Sequence, residues 1–312
     1  PFNQITTKSR MQNTSFKEIS YEKHSEFYKE QNPDALLKKH KTFFDVKTVD
    51  LWRHTRQLEL IKLYCGLYKN SEWLTVGDGG FGSSATYIEM HGGKVISTDL
   101  DTSLLKIAAE NNLITNFQYA NAENLPFEEA KFDFSFCKQS YHHFPRPIIA
   151  VYEMLRVSKK AVMLVEPADW LPSPFVLKTL QKLKRKFKQL IGLKNPHHEE
   201  GSFEPVGNYI YTISEREIEK LAMGIALPCI AFKRFDDFYY EGVETEMIDK
   251  NGPLNKKIKK MLLINTLKRH LGLSSKNNIM CILFKYAPDS NERAILKQNG
   301  FNVIDLPKNP YA

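Results

Sequence analysis

The sequence has few cysteines, and none of them is spaced like a metal ligand. The 312-residue chain contains four, which are Cys65, Cys137, Cys229 and Cys281. Each stands within an apolar run, and no pair shows the short spacing typical of zinc sites or redox motifs. We therefore expect reduced thiols in the core of a cytoplasmic protein, because disulfides are rare in reducing compartments.

Long apolar runs are also missing. No stretch approaches the roughly 20 apolar residues that cross a bilayer, and the first residues, PFNQITTKSR, lack the apolar centre of a signal peptide. With 42% hydrophobic and 12% aromatic residues, the chain can still bury a substantial core. Composition therefore favours a globular cytoplasmic protein of one or two domains.

Acidic residues are absent from two long stretches of this chain, whose net charge is +8. Between Trp170 and His197, and again between Lys250 and Asp289, lysines alternate with apolar residues at helical spacing. Each stretch predicts a basic amphipathic helix. Three interpretations stay open: a solvated helix face, recognition of a phosphate-bearing substrate, or peripheral contact with a membrane surface. Nucleic acid is disfavoured, because the lysines lack interleaved aromatic residues.

The strongest functional signal is the glycine-rich segment WLTVGDGGFG, residues 73–82, which is followed by Asp99 in VISTDLD. An apolar run, a glycine turn, a helical segment and a second apolar run ending in a carboxylate predict a strand–turn–helix–strand unit. Such a unit binds adenosine-containing cofactors, because the turn lets backbone approach the ligand and the acid binds ribose hydroxyls.

From residue 73 onward, strand-like and helix-like patterns alternate. Strands are predicted at 73–76, 94–98, 117–120, 131–137, 161–167, 229–240 and 278–286. This alternation predicts an α/β fold with a mainly parallel sheet and helices on both faces. Residues 15–70 are predicted to be helical, with one long helix over VKTVDLWRHTRQLELIKLYCGLY, and the tail is predicted to add a short helix and an edge strand.

Four segments resemble the successive motifs of class I S-adenosylmethionine-dependent methyltransferases, in particular the type 11 small-molecule group. They are WLTVGDGGFGSSATYI, VISTDLD, ANAENLPFEEAKFDFSFCKQSYHHF and VYEMLRVSKKAVMLVEP. The resemblance implies a Rossmann-like seven-stranded sheet of order 3-2-1-4-5-7-6 with strand seven antiparallel. The cofactor would be S-adenosyl-L-methionine. The predicted organisation is a helical lid segment (1–69), the cofactor-binding domain (70–288, with a helical insertion at 170–208 and a basic helix at 251–273) and a C-terminal extension (289–312).

The resemblance also implies which residues bind the cofactor. Asp99 would bind the ribose hydroxyls, Leu100 would lie against adenine, and Lys138 would line the methionine end. The turn and the adenine-flanking positions would be formed by Gly77, Asp78, Gly79, Gly80, Gly82, Ala122 and Glu123. The segment departs from the family pattern at three positions. Thr75 replaces a frequent acid, Phe81 stands where a third glycine is usual, and Asn121 replaces a frequent aspartate. Asp78 is predicted to take over as the acid near the cofactor's ammonium group.

Candidate catalytic and acceptor-binding residues lie elsewhere on the same edge of the predicted sheet. In YHHF, His142 and His143 follow strand four, and imidazole titrates near working pH, so either is a candidate general base, with His143 preferred. A structural role for this segment is the alternative. Candidates for contact with the acceptor are Tyr141, Tyr209, Tyr211 and Trp52. No metal is predicted, because the neighbours in HHEE at 197–200 rarely all face one ion.

Together these patterns favour methyl transfer to a small-molecule or glycan-type metabolite, most readily at oxygen, with release of S-adenosylhomocysteine. The acceptor is expected to be a sugar or a phosphate-bearing compound. Two alternatives stay open: an RNA methyltransferase, which the charge motivates, and a non-catalytic protein that only binds the cofactor, which the altered glycine turn motivates.

Overall fold

The protein is built around one eight-stranded sheet. The structure, a computed structural model, describes residues 21, 37, 47–169, 209–271, 273–308 and 310. In order across the sheet, the strands are β3-β2-β1-β4-β5-β7-β6-β8. Their bounds are β1 Glu72–Val76, β2 Lys94–Asp99, β3 Phe117–Tyr119, β4 Phe132–Lys138, β5 Ser158–Pro167, β6 Cys229–Phe235, β7 Asn278–Phe284 and β8 Asn302–Asp305.

Helices connect most of these strands. Between residue 47 and β1 lie two helices, and the later helices alternate with the strands as the sequence pattern predicts. Their bounds are α1 Val49–Gln57, α2 Glu59–Leu67, α3 Ser83–Met90, α4 Ser103–Glu110, α5 Pro147–Val157, α6 Glu215–Gly224, α7 Pro253–His270 and α8 Ser290–Gln298. Among the described residues, no helix is long and apolar enough to cross a membrane.

The strand directions confirm the expected topology and extend it. Strands β1 to β5 pair in parallel, whereas β7 runs antiparallel to both β5 and β6. The eighth strand, β8, pairs antiparallel with β6 at the sheet's edge. This strand is the edge strand that the sequence predicts for the tail, and it brings the sheet to eight strands where the family resemblance implies seven.

The core lies on both faces of the sheet. Strand β7 is buried along its whole length, as expected for a strand covered on two sides. On one face, Trp73, Phe134 and Tyr64 pack together, with the Trp73 and Phe134 ring centroids 4.7 Å apart. The other face carries a second cluster that includes Val76 and Tyr141.

The N-terminal helical region differs from the prediction of one long helix. A bend at Leu58, where ψ is 6°, separates α1 from α2. Leu58 is fully buried in the core, so the bend brings into the core a residue that lies at the edge of the apolar face. The predicted insertion at 170–208 and most of the predicted lid before residue 47 lie outside the described residues.

Candidate functional site

A cleft opens at the carboxyl edge of β1, β2 and β4, where ligands bind in open α/β sheets. It holds about 660 Å³ of empty space, counting the part open to solvent. Its lining comprises Tyr21, Gly77, Asp99, Leu100, Ala120, Asn121, Ala122, Glu123, Gln139, Ser140, His143, Phe144 and Pro145. The cleft therefore brings together five of the predicted cofactor-binding residues: Gly77, Asp99, Leu100, Ala122 and Glu123.

The glycine turn after β1 wraps closely around the Asp99 carboxylate. The amide of Gly79 donates to Asp99 Oδ2 at 2.8 Å, and a Cβ on Gly79 would lie 2.6 Å from that oxygen. Gly77 has φ +72°, and a Cβ there would lie 2.5 Å from Ser140 Cβ. Both glycines are thus needed because no larger residue fits, whereas a Cβ on Gly80 would meet nothing within 4 Å.

Asp99 is held by backbone at both of its oxygens. Its second oxygen, Oδ1, accepts from the amide of Asp101 at 2.9 Å. The side chain is buried, and burial raises the pKa of its carboxyl group to about 6. Asp99 is therefore ionised at neutral pH, in a fixed orientation at the wall of the cleft, where it can accept hydrogen bonds from two neighbouring hydroxyls.

Asp78 takes a different role from the predicted one. Its two oxygens accept from the amides of Ser84 at 3.1 Å and Ala85 at 2.9 Å, in the first turn of α3. It thereby satisfies amides that the helix itself leaves open, and burial raises the pKa of this carboxyl group. Asp78, Gly80 and Gly82 do not line the cleft, so the assignment of Asp78 to an ammonium group is corrected to helix capping.

Phe81 and Gly82 both adopt left-handed backbone, with φ of 58° and 65°. A bulky residue in this region is strained, and Phe81 is only 4% exposed within the core. Burial of its ring therefore compensates for a backbone conformation that glycine would adopt freely. The altered glycine spacing thus preserves the turn rather than abolishing it.

The YHHF segment forms a single 3₁₀ turn after β4, and its two histidines have different surroundings. His142 Nδ1 lies 2.7 Å from Glu166 Oε2. Glu166 is fully buried at the end of β5, and its other oxygen accepts from the amides of Ser140 and Tyr141 at 2.9 and 3.0 Å. His143 lines the cleft. Sequence reasoning preferred His143, which lines the cleft, whereas His142, which is not among the lining residues, is the one paired with Glu166.

The comparison with known families agrees with this geometry. Residues 74–165, from β1 to β5, match the family described as the methyltransferase domain, type 11. This segment is a methyltransferase domain. The chain therefore contains an S-adenosylmethionine-dependent methyltransferase domain.

Solved structures with similar folds include several methyltransferases. A SAM-dependent methyltransferase from Methanosarcina mazei is 16% identical, with 72% of this chain and 97% of that chain covered and a TM-score of 0.43. Magnesium protoporphyrin IX methyltransferase from Synechocystis PCC 6803 with bound SAH is 11% identical, with 87% of this chain and 96% of that chain covered and a TM-score of 0.46. The cyclase SpnF is 15% identical, with 75% of this chain and 81% of that chain covered and a TM-score of 0.47. These similarities carry no information about the acceptor. None of the curated proteins matches the chain.

The residues of the methyltransferase domain fit the cofactor at its adenosine end. Gly77 lines the cleft, Asp99 presents a carboxylate that Gly79, which is not itself a lining residue, holds in place, and Leu100 and Ala122 supply apolar wall. Glu123 is less available than predicted, because its carboxylate pairs with Arg146, whose Nε donates at 2.7 Å and whose amide donates at 2.8 Å.

Tyr21 is a wall residue that the sequence did not single out. Its hydroxyl donates to Asn121 Oδ1 at 3.4 Å, and burial raises the pKa of this phenol to about 12. Tyr21 stands far from the motifs in sequence, in a stretch with no other functional signal. Only the fold brings it to the cleft.

Lys138 and α1 form a charged group beside the domain. Lys138 Nζ lies 3.5 Å from His54 Nδ1. Burial lowers the pKa of Lys138, and the nearby carboxylates of Asp78, Glu166 and Asp50 oppose this shift. Lys138 is thus close to Asp78 at the end of β1 but is absent from the lining of the cleft.

The four predicted acceptor contacts are divided by the structure. Tyr141 is 1% exposed and directs its hydroxyl to Glu217 at 3.4 Å, so it belongs to the core and does not face the cleft. The assignment of Tyr141 to acceptor contact is therefore corrected. Trp52 is half-buried and packs against the small cluster of Val49, Val243 and Ile258, and its contact with the acceptor stays a prediction.

Tyr209 and Tyr211 lie closer to the catalytic candidates. Their ring centroids are 4.9 Å apart, and the amide of Tyr211 donates to the His142 carbonyl at 3.4 Å. Both remain candidates for acceptor contact. Within the described ranges, no group of three or more His, Cys, Asp or Glu is placed to hold a metal ion, and the HHEE segment at 197–200 lies outside those ranges.

Proposed function

We propose that this methyltransferase transfers the methyl group to a hydroxyl of a small-molecule or glycan-type metabolite, with His142 as general base. The supporting observation is the 2.7 Å contact between His142 Nδ1 and the buried Glu166 carboxylate. A carboxylate that accepts from Nδ1–H fixes the imidazole tautomer and leaves Nε2 as the basic nitrogen. An N-acceptor or C-acceptor reaction has less need of such an arrangement.

The chain's own residues perform two tasks in this proposal. S-adenosylmethionine, when bound, supplies a methyl carbon that is already activated for in-line displacement. Asp99 and the glycine turn hold the adenosine end and thereby position the reacting atoms. Such positioning alone lowers the activation barrier by roughly 7–11 kcal/mol. His142 Nε2 takes the proton of the acceptor hydroxyl as the new oxygen–carbon bond forms. Glu166 then stabilises the imidazolium, and general-base help of this kind contributes about 10²–10⁴-fold.

The proposed acceptor is a sugar or a phosphate-bearing compound, and the proposed location is the cytoplasm. The four cysteines are free thiols, the state expected in a reducing compartment, which supports this location.

The test is release of S-adenosylhomocysteine from purified protein incubated with S-adenosylmethionine and hydroxylated acceptors, including nucleotide-linked sugars. With an active acceptor, His142→Gln should lower kcat by about 10²-fold or more, while calorimetric affinity for the cofactor stays unchanged. His143→Gln is the matched control, and a larger loss in that variant would move the base to His143. Cofactor binding without turnover of any acceptor would favour the non-catalytic alternative.

A further inference from the structure

Helix α7 carries a line of exposed leucines. Leu263, Leu267 and Leu271 are 62%, 56% and 70% exposed. They are spaced four residues apart at the C-terminal end of α7 and directly after it, so their side chains share one face of the helix. Three exposed leucines on one face are unusual for a surface helix, whose leucines normally point into the core.

The same face is strongly basic. Lys256, Lys259 and Lys260 are exposed on the preceding turns. Helical geometry places Lys256 and Lys260 within the arc of the leucines and Lys259 about 40° to one side of it. Residues 253–270 contain no acid. The exposed face of α7 therefore has a cationic half followed by an apolar half.

The opposite face fixes α7 firmly to the domain. Ile258 is fully buried against Val49 and Val243, and Asn255 is fully buried as well. Near the other end, Asn265 donates to Asp236 Oδ1 at 2.6 Å, and Arg269 pairs with the same carboxylate. The basic leucine face is thus presented by a helix that cannot rotate to bury it.

This face lies at the edge of the sheet where the cleft opens. Asp236, which holds α7, directly follows β6. Strand β6 is antiparallel to β7, and β7 is antiparallel to β5, so β6 ends at the same edge as β1, β4 and β5. The face and the cleft therefore share one edge of the molecule.

We propose that α7 docks on the surface of an anionic lipid membrane, with Leu263, Leu267 and Leu271 entering the interface and Lys256, Lys259 and Lys260 contacting lipid phosphates. A helix with lysines beside leucines binds anionic interfaces in two ways: the leucines bury apolar area in the interface, and the lysines are attracted to the lipid phosphates. A second copy of the chain is a poor occupant, because two such basic faces repel each other. Nucleic acid would use the lysines but leave the leucines exposed.

The experiment is co-sedimentation of the full chain with vesicles of equimolar phosphatidylcholine and phosphatidylglycerol, and with vesicles of phosphatidylcholine alone. Binding to the first and roughly 100-fold weaker binding to the second is expected, since each surface lysine contributes about five-fold. The variant Leu263→Ser/Leu267→Ser/Leu271→Ser should bind anionic vesicles roughly ten-fold more weakly or worse.

Two matched controls separate the face from general effects. Met90→Ser removes another exposed apolar side chain, 61% exposed and on α3, and should bind like the parent chain. The second control removes three lysines elsewhere, in the variant Lys106→Gln/Lys220→Gln/Lys297→Gln. Its net charge equals that of the α7 variant Lys256→Gln/Lys259→Gln/Lys260→Gln, but only the α7 variant should lose vesicle binding. Unchanged affinity for cofactor would show that each variant is folded.

The inference is overturned if the parent chain ignores anionic vesicles, or if the leucine variant binds them as well as the parent does, as a purely electrostatic polyanion site would. A concentration-dependent dimer that the leucine variant abolishes would assign the face to a second copy instead. Vesicle binding requires no methyl transfer, so its outcome is independent of the proposed reaction.

Discussion

The two edges of the sheet each contain a buried glutamate, and the two glutamates have different partners. At the edge where β1 begins, Glu292 is 4% exposed and accepts from the hydroxyls of Tyr64 at 2.8 Å, Tyr286 at 2.7 Å and Tyr68 at 3.1 Å. At the opposite edge, Glu166 accepts from two backbone amides and from His142.

The difference lies in what the partners can do. Burial raises the pKa of all three tyrosines around Glu292, well beyond their ordinary range for Tyr64 and Tyr286, so these hydroxyls keep their protons at every working pH. The site can only hold the structure together. The partner of Glu166 is an imidazole, whose two ring nitrogens can donate and accept protons. A buried carboxylate thus becomes chemically useful when one of its partners can take up a proton.

The sharpest way to break this comparison is Glu166→Gln, which is expected to have the largest effect. The amide oxygen can still accept from Ser140 and Tyr141, but the amide nitrogen now donates to His142 Nδ1. This reverses the tautomer and places a proton on Nε2, so kcat should fall by roughly 10²–10⁴-fold. Cofactor affinity should change little.

Single-turnover rates and calorimetry with S-adenosylmethionine measure the two parts separately. A pH profile adds a readout that a structural role would not move, because the parent's base-dependent limb should disappear in the variant. If rate and profile both survive, His142 is not the base.

Glu292→Ala tests the other edge. It leaves the Tyr64 hydroxyl buried without its acceptor, while Tyr68 and Tyr286 keep the hydrogen bond between their hydroxyls at 2.9 Å. The loss should cost about 3 kcal/mol of the free energy of unfolding and lower Tm by several degrees. Activity per folded molecule at low temperature should be retained. Denaturant titration measures the free energy of unfolding, and an assay at a temperature below the unfolding transition measures the activity per folded molecule. Glu110→Ala, at an exposed position, is the control, and a selective loss of kcat in Glu292→Ala would contradict the assignment.

The sequence predicts the parts of this molecule that depend on local pattern. Strand order, the glycine turn and Asp99 are recovered, because periodicity and a characteristic spacing encode them. Tyr21 and the His142–Glu166 pair are not, because each joins elements whose contact only the tertiary fold creates. From the sequence alone, Glu166 is only the polar end of a buried strand. Tyr141 looks like one more exposed aromatic residue beside the site, although it is packed in the core.

A third variant sharpens the comparison within the carboxyl edge itself. In Gly79→Ala, the new Cβ would lie 2.6 Å from Asp99 Oδ2, so the carboxylate or the turn must shift, and cofactor affinity should fall by about ten-fold or more. Gly80→Ala is a matched control one residue away, since its Cβ meets nothing within 4 Å. Calorimetric titration of both variants with S-adenosylmethionine measures the two affinities. Equal affinities would mean that the turn does not contribute to cofactor binding.

The smallest expected effect is the pH dependence of cofactor binding at Asp99. The pKa of Asp99 is raised to about 6 in the folded chain, mainly by burial, from about 4 in the unfolded chain. The folded state therefore binds this proton more tightly, and the contribution of Asp99 to folding stability falls as pH rises from about 4 to about 6.

Cofactor affinity should move in the opposite direction over the same window, because the ribose hydroxyls need the ionised carboxylate. Calorimetry at pH 5, 6 and 7.5 should show affinity rising several-fold and then levelling, and Asp99→Ala should bind weakly with a flat profile. A profile that is equally steep in Asp99→Ala would place the titrating group elsewhere in the cleft and remove Asp99 from the contrast between the two edges.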